Sequence, residues 1–174
     1  MATRIYVTDT AAPVTPGATR GTWSASGSAL DKAIKTTKEG SYASLSLSPA
    51  VTSGTLYYRF VSPPLATTTT ISGTVTAVLM ASITSAAGTG RYHAYVMAPD
   101  GSVRGTLLAT ASTASIGPSS LQGYALIPSA TAISSVSPTV GDRIVFEVGF
   151  VQNFISPTGV IGRGGTSGTD LTAS

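Results

Sequence analysis

Cysteine is absent from the 174 residues, so the chain has no disulfide, no thiolate nucleophile and no cysteine-ligated zinc. Charge is nearly as scarce. Asp, Glu, Lys and Arg make up 10% of the chain, against ~25% in an average soluble domain. The basic excess is small, 10 Lys and Arg against 7 Asp and Glu, and its only cluster is Lys32, Lys35 and Lys38 with Asp31 and Glu39 at the ends. Nucleic-acid binding needs basic residues gathered on one face. This segment reads instead as a solvated loop or short helix, and no nucleic-acid partner is expected. Long apolar runs are missing too: Val75 to Ile83 is interrupted by Thr76 and Ser82, so no membrane span of ~20 apolar residues is present. The opening Met1-Ala2-Thr3-Arg4-Ile5-Tyr6-Val7-Thr8 lacks the apolar run of a signal peptide. A soluble chain that reaches its destination without that route is expected.

What fills the composition is Ser, Thr, Ala and Gly, with 42% hydrophobic residues overall. Disorder goes with low hydrophobicity and high net charge, so this chain folds. Its surface is made of hydroxyls and small side chains, which cost little to bury against a neighbour because few ions must be desolvated. That favours a part in an assembly.

Prolines and glycines punctuate β-rich runs throughout, the rhythm of sandwiches and barrels. Ala43, Leu45 and Leu47 alternate with Ser44, Ser46 and Ser48. Leu56, Tyr58 and Phe60 alternate with Tyr57, Arg59 and Val61, and the run stops at Pro63-Pro64. Ile71 to Ile83 forms a long strand that crosses the domain or bends at Gly73. Tyr92 to Ala98 is another, and Ile144, Phe146, Val148 and Phe150 against Arg143, Glu147 and Gly149 give the strongest alternation of all. Shorter candidates are Arg4 to Thr8, the segment around Trp23, Arg104 to Thr110 and Tyr124 to Ile127. Pro99-Asp100-Gly101 reads as a hairpin turn with Gly101 at positive φ, and Ala86-Ala87-Gly88-Thr89-Gly90 as a second connection. The expected fold is all-β: a single antiparallel β-sandwich, jelly-roll-like, with extended N- and C-terminal arms. An immunoglobulin-like sandwich is the second choice, its Cys–Trp–Cys signature being absent. Residues 1–40 are expected to hold an N-terminal arm and the first short strands, 41–155 the β-sandwich core, and 156–174 a Gly-rich C-terminal arm. Gly162-Arg163-Gly164-Gly165 reads as a flexible loop.

Catalytic patterns are missing. His93 is the single histidine, and no Gly-x-Ser-x-Gly elbow accompanies it. One histidine with no cysteine leaves only scattered carboxylates for a metal, and no Asp-x-Asp calcium loop occurs. Glu147, opposite the apolar face of its strand, is expected to face solvent or to form a surface ion pair with Arg59 or Arg104. Asp100 and Asp142 read as turn residues. No catalytic residue, cofactor or metal site is expected, and the chain is read as a non-enzyme. The interface candidates are Trp23, Tyr57, Arg59, His93 and Tyr95. Tyr57 is taken to point outward with Arg59, His93 and Tyr95 to share a face, and Trp23 to be core or an interface anchor.

Several segments together resemble a known group. The opening Thr3-Arg4-Ile5-Tyr6, then Ala11-Ala12-Pro13-Val14 and a Trp, is similar to the start of small bacteriophage virion structural proteins. So are Phe60-Val61-Ser62-Pro63-Pro64-Leu65 leading into Thr70-Ile71-Ser72-Gly73-Thr74-Val75, Val103 to Ala109, Gly141 to Gly149, and Gly164 to Leu171. The resemblance covers most of the chain in patches, and it is their order that is specific. It implies a head-decoration or minor tail role, a virion location after assembly in the host cytoplasm, and no catalytic residues. Proteins of this group continue into one more apolar strand where this sequence ends at Ser174, so either the sheets close without that strand or a neighbouring subunit supplies it.

Three functions follow as expectations. A capsid decoration protein would bind the major capsid protein or tail proteins through sheet edges and arms, as a homo-oligomer with no membrane partner. A tail-tip receptor- or carbohydrate-binding module would show a concave site with exposed aromatics. An enzyme would need a cleft around a perturbed carboxylate or His93.

Overall fold

The computed structural model describes residues 5–24, 29–37, 42–47, 54–83, 88–116, 119–152 and 159–164. Among these residues there is no helix, and they form ten strands in two sheets. The larger sheet takes β1 (Tyr6–Ala11), β2 (Leu30–Lys35), β4 (Thr55–Val61), β9 (Arg143–Gln152), β6 (Gly88–Met97) and β7 (Val103–Ile116), in that spatial order. The smaller holds β3 (Tyr42–Leu47), β10 (Gly159–Gly164), β5 (Ile71–Ile83) and β8 (Ser119–Val136).

The alternation of small hydroxyl and apolar residues makes these strands, since β-branched and aromatic side chains suit a pleated surface buried on one face. β6 and β7 meet across Pro99-Asp100-Gly101, where Gly101 has φ 84° and Asp100 accepts bonds from the Ser102 amide and hydroxyl. β5 breaks register beside Gly73, whose φ is 112°. Pro128, which has no N–H to donate, sits in edge strand β8 where the ladder skips from Ile127 to Thr131.

Four sequence-based expectations change. The sheets are not purely antiparallel: β2 runs parallel to β4, Leu30 opposite Tyr58 and Ala33 opposite Val61. Lys32 and Lys35 lie in strand β2 rather than in a loop or short helix, because Ala33 and Ile34 are buried and seat the segment in the sheet; Lys38 and Glu39 lie outside the described residues. The segment around Trp23 is not a strand. Gly162 to Gly164 belong to β10, which pairs with β3 on one side and β5 on the other. Glycine tolerates that central place because backbone bonds on both edges hold the strand. Residues 84–87, part of the connection expected before Gly88, lie outside the described residues.

One buried cluster draws side chains from both sheets: Tyr58, Phe60, Val96, Val148 and Phe150 of the larger, Leu126, Ile127 and Val136 of the smaller. Tyr58 stacks on Phe60 at 5.1 Å between ring centroids, and Tyr92 on Phe146 at 6.3 Å. The larger sheet also buries part of its other face, where Val61, Tyr95, Met97 and Val145 form a second cluster with Ala12 of the N-terminal segment against it.

Candidate functional site

That second face carries the most concentrated chemistry of the described residues. Strict alternation on β9 puts Val145, Glu147 and Gly149 on it, and the register sets Glu147 opposite His93 of β6 on one side and Arg59 of β4 on the other. Residues 12–24, a strap outside any strand, cross over these side chains.

Glu147 is fully buried and takes hold of the strap. Its Oε1 accepts from the Arg20 amide at 2.8 Å. Its Oε2 accepts from the Gly21 amide at 2.7 Å and from the Trp23 indole Nε1 at 2.8 Å. A carboxylate taken out of water needs such donors, and those to a charged acceptor are the stronger kind. The expected surface ion pair is therefore replaced by a buried clasp. Arg59 instead makes a two-pronged pair with Asp31, at 2.6 and 2.8 Å, and donates to the Pro16 carbonyl at 3.0 Å. Arg104 pairs with the buried Asp142 at 3.0 and 3.2 Å. Asp142 also accepts from the Thr139 amide at 2.8 Å, the turn role expected of it.

Two glycines make the clasp possible. A Cβ on Gly21 would lie 2.6 Å from Trp23 Nε1 and 2.9 Å from both Glu147 Oε2 and His93 Cβ. A Cβ on Gly149 would lie 2.5 Å from Trp23 Cζ3 and 2.1 Å from the Thr55 carbonyl oxygen. Arg91 covers the indole at 5.9 Å from its ring centroid, within cation–π range. Beside Trp23, Thr110 Oγ1 accepts from the Thr22 amide at 3.0 Å and lies 3.3 Å from His93 Nδ1.

The interface candidates fall into place as follows. Trp23, Arg59, His93 and Tyr95 gather around Glu147 and the strap; His93 and Tyr95 share this face with rings 5.9 Å apart. Both are buried, as is Tyr57. Tyr57 lies apart from them, edge-on to Phe150 at 6.4 Å in the main cluster. The pairing of β4 with β9 skips from Leu56 to Tyr58, and this bulge turns Tyr57 to the same side as Tyr58. Its outward direction in the sequence reading is thus corrected.

Burial lowers the His93 pKa below its ordinary 6.5, although the nearby Glu147 charge opposes the shift, so the ring is neutral at pH 7. Burial first, and Glu147 second, push the Tyr95 hydroxyl up to about 12. Burial also raises Tyr57. Hydrogen bonding from Arg104 holds Asp142 below its usual value. Among the described residues no three His, Asp or Glu converge as a metal site. Both oxygens of Glu147 are engaged by the strap, so what this arrangement does is fasten chain to sheet. No family model matches the chain, and no curated protein does.

The sequence reading missed Glu147, Gly21, Gly149 and Thr110 as parts of one site. A signal for one existed: in a chain so poor in charge, Glu147 sits mid-strand in the strongest apolar alternation, with Gly149 next on its face.

Proposed function

We propose that this chain is a non-enzymatic structural subunit of a bacteriophage particle, a decoration protein bound to the capsid exterior through sheet edges and arms and working as a homo-oligomer. Its fold is taken as a two-layer sandwich of the jelly-roll kind. In support, from β3 to β10 the chain passes repeatedly between the sheets and each core-facing side meets the other in one cluster.

The observation that carries the reading is the chemistry of the smaller sheet. Across β3, β5, β8 and β10 the only Lys, Arg, Asp or Glu is Arg163. Ser72, Thr74 and Thr76 of β5 and Ala132 and Ser134 of β8 are exposed. A face of hydroxyls and methyls loses little hydration energy when covered, which suits a permanent place in a lattice. The patchwise resemblance to small phage virion proteins points the same way. The alternative, a minor tail or receptor-binding module, asks for exposed aromatic platforms; Tyr57, His93 and Tyr95 are buried, so these three serve neither as a sugar platform nor as outward interface anchors.

Gold labelling of intact particles with an antibody to this chain, viewed by electron microscopy, tests the proposal. Label spread over heads is expected. Label confined to tails would favour the receptor-binding reading and call for glycan-binding assays, and particles without label after partial disruption would overturn the virion reading.

A further inference from the structure

His93 is the single histidine of the chain, and it lies buried beneath the strap. A Cβ on Gly21 would come within 2.9 Å of the His93 Cβ, so strap and strand touch there. The Thr22 amide donates to Thr110 Oγ1 at 3.0 Å, and the same oxygen lies 3.3 Å from His93 Nδ1. The amide occupies one lone pair of that hydroxyl and leaves its hydrogen for Nδ1. On this pattern the neutral ring carries its own hydrogen on Nε2, and one hydroxyl joins it to the strap. Glu147 faces the ring from β9, both oxygens taken by the Arg20 and Gly21 amides and the Trp23 indole. Tyr95, beside His93 on β6, donates to the Ala18 carbonyl at 3.4 Å. The other charges near this face are engaged elsewhere. Arg91 of β6 lies over the indole, and Arg20 turns its guanidinium to the Gly101 carbonyl at 3.5 Å. Arg59 of β4 is paired with Asp31 of β2, and Arg104 of β7 with Asp142.

A proton on His93 upsets this arrangement in two ways. Nδ1 changes from acceptor to donor and aims at a hydroxyl that already accepts from Thr22. The new positive charge is shut away from water, and the one carboxylate beside it is committed to three strap donors. Burial accordingly outweighs the pull of Glu147 and holds the ring's pKa below its ordinary 6.5. Lifting the strap relieves both faults, because water reaches the imidazolium and the freed carboxylate becomes its counter-ion. At neutral pH nothing offsets the cost of leaving Glu147 without donors and Tyr95 uncovered, so the strap stays down. We propose that His93 is an acid-sensitive latch: in mildly acid solution its protonation releases the Ala18–Trp23 stretch from the larger sheet while the sheet itself stays folded. The device works within one chain and does not depend on where the protein is located.

Protection of the Arg20, Gly21 and Thr22 amides against hydrogen exchange, corrected for the intrinsic rate at each pH, tests the latch in the full chain. From pH 7 to pH 5 it is expected to fall by about threefold to thirtyfold. The upper limit is the ratio of charged to neutral imidazole at pH 5 for a freely exposed ring. The amides of β6 and β9 should keep their protection, and His93→Gln should lose the acid response of the strap. With only one histidine present, its own titration can be followed by nuclear magnetic resonance. Coupling between proton and strap is reciprocal. Trp23→Ala removes the indole from Glu147 and loosens the strap, so it should move the His93 midpoint up toward 6.5. Four results would each overturn the proposal: strap protection unchanged at pH 5, an equal fall throughout β6 and β9, an acid response kept in His93→Gln, or a His93 midpoint unmoved by Trp23→Ala.

Discussion

A single carboxylate governs the outer face of the larger sheet. Glu147 accepts from two consecutive amides and an indole while fully buried, so its loss leaves donors unpaired where water reaches them poorly. Glu147→Ala is expected to lower stability by about 3 kcal/mol, read as a shift in urea midpoint at constant slope. Glu147→Gln should lose nearly as much, because its amide NH2 turns a donor toward a donor. Gly149→Ala drives a methyl into the Thr55 carbonyl and the Trp23 ring and should cost about 3 kcal/mol. Gly17→Ala has nothing within 4 Å and should be neutral or stabilise by about 0.5 kcal/mol through the unfolded chain. His93 adds a pH dependence. Its folded pKa lies below its ordinary 6.5, so the unfolded chain binds the proton more readily. Its contribution is complete above pH 6.5 and is lost as pH falls below that value toward the folded pKa. Asp142, also shifted down, acts in the same direction at more acid pH. Urea midpoints should fall from pH 7 to pH 5, and His93→Gln should flatten that slope; an unchanged slope would reassign it to other groups.

At the scale of elements, the strap behaves as a separate unit laid on a rigid sheet. Amides outside regular ladders usually exchange quickly with solvent, but those of Arg20 and Gly21 are bonded to a buried carboxylate. Hydrogen exchange should find both protected in the wild-type chain. In Glu147→Gln that protection should vanish while the amides of β6 and β9 keep theirs, separating release of the strap from unfolding of the sheet. Loss of protection throughout β6 and β9 would mean that strap and sheet open together. The bulge in β4 works at the same scale: a single extra residue moves Tyr57 from the strap face to the main cluster, and with it one large aromatic ring into the core.

For the whole molecule, one cluster shared between the sheets predicts one cooperative transition. Ile127→Ala, in the smaller sheet and 1% exposed, should cost about 3 kcal/mol. Trp23 fluorescence reports on the strap over the larger sheet, and far-ultraviolet dichroism on both sheets. The two should lose midpoint together in Ile127→Ala, and a fluorescence transition left unshifted would show that the sheets unfold independently. The division of charge is also a whole-molecule property: the smaller sheet carries Arg163 alone, while the ion pairs of Arg59 and Arg104 belong to the larger sheet and its loops.

The sequence by itself determined the all-β class, the long strand with its break at Gly73, the strand around Tyr92 to Ala98, the one containing Glu147, and the hairpin at Gly101. Period-two alternation and turn chemistry are local properties, written in consecutive residues. Tertiary structure alone decided the rest. The partners of Glu147 come from 124 to 127 residues away, and two of them are backbone amides, which leave no side-chain signature. The side taken by Tyr57 depends on a bulge set by pairing with β9. The parallel meeting of β2 with β4 and the seat of β10 between β3 and β5 are pairings of segments far apart in the chain, which no local pattern can announce. A glycine-rich segment carries no alternation to announce such a place, so only the surrounding sheet could assign it.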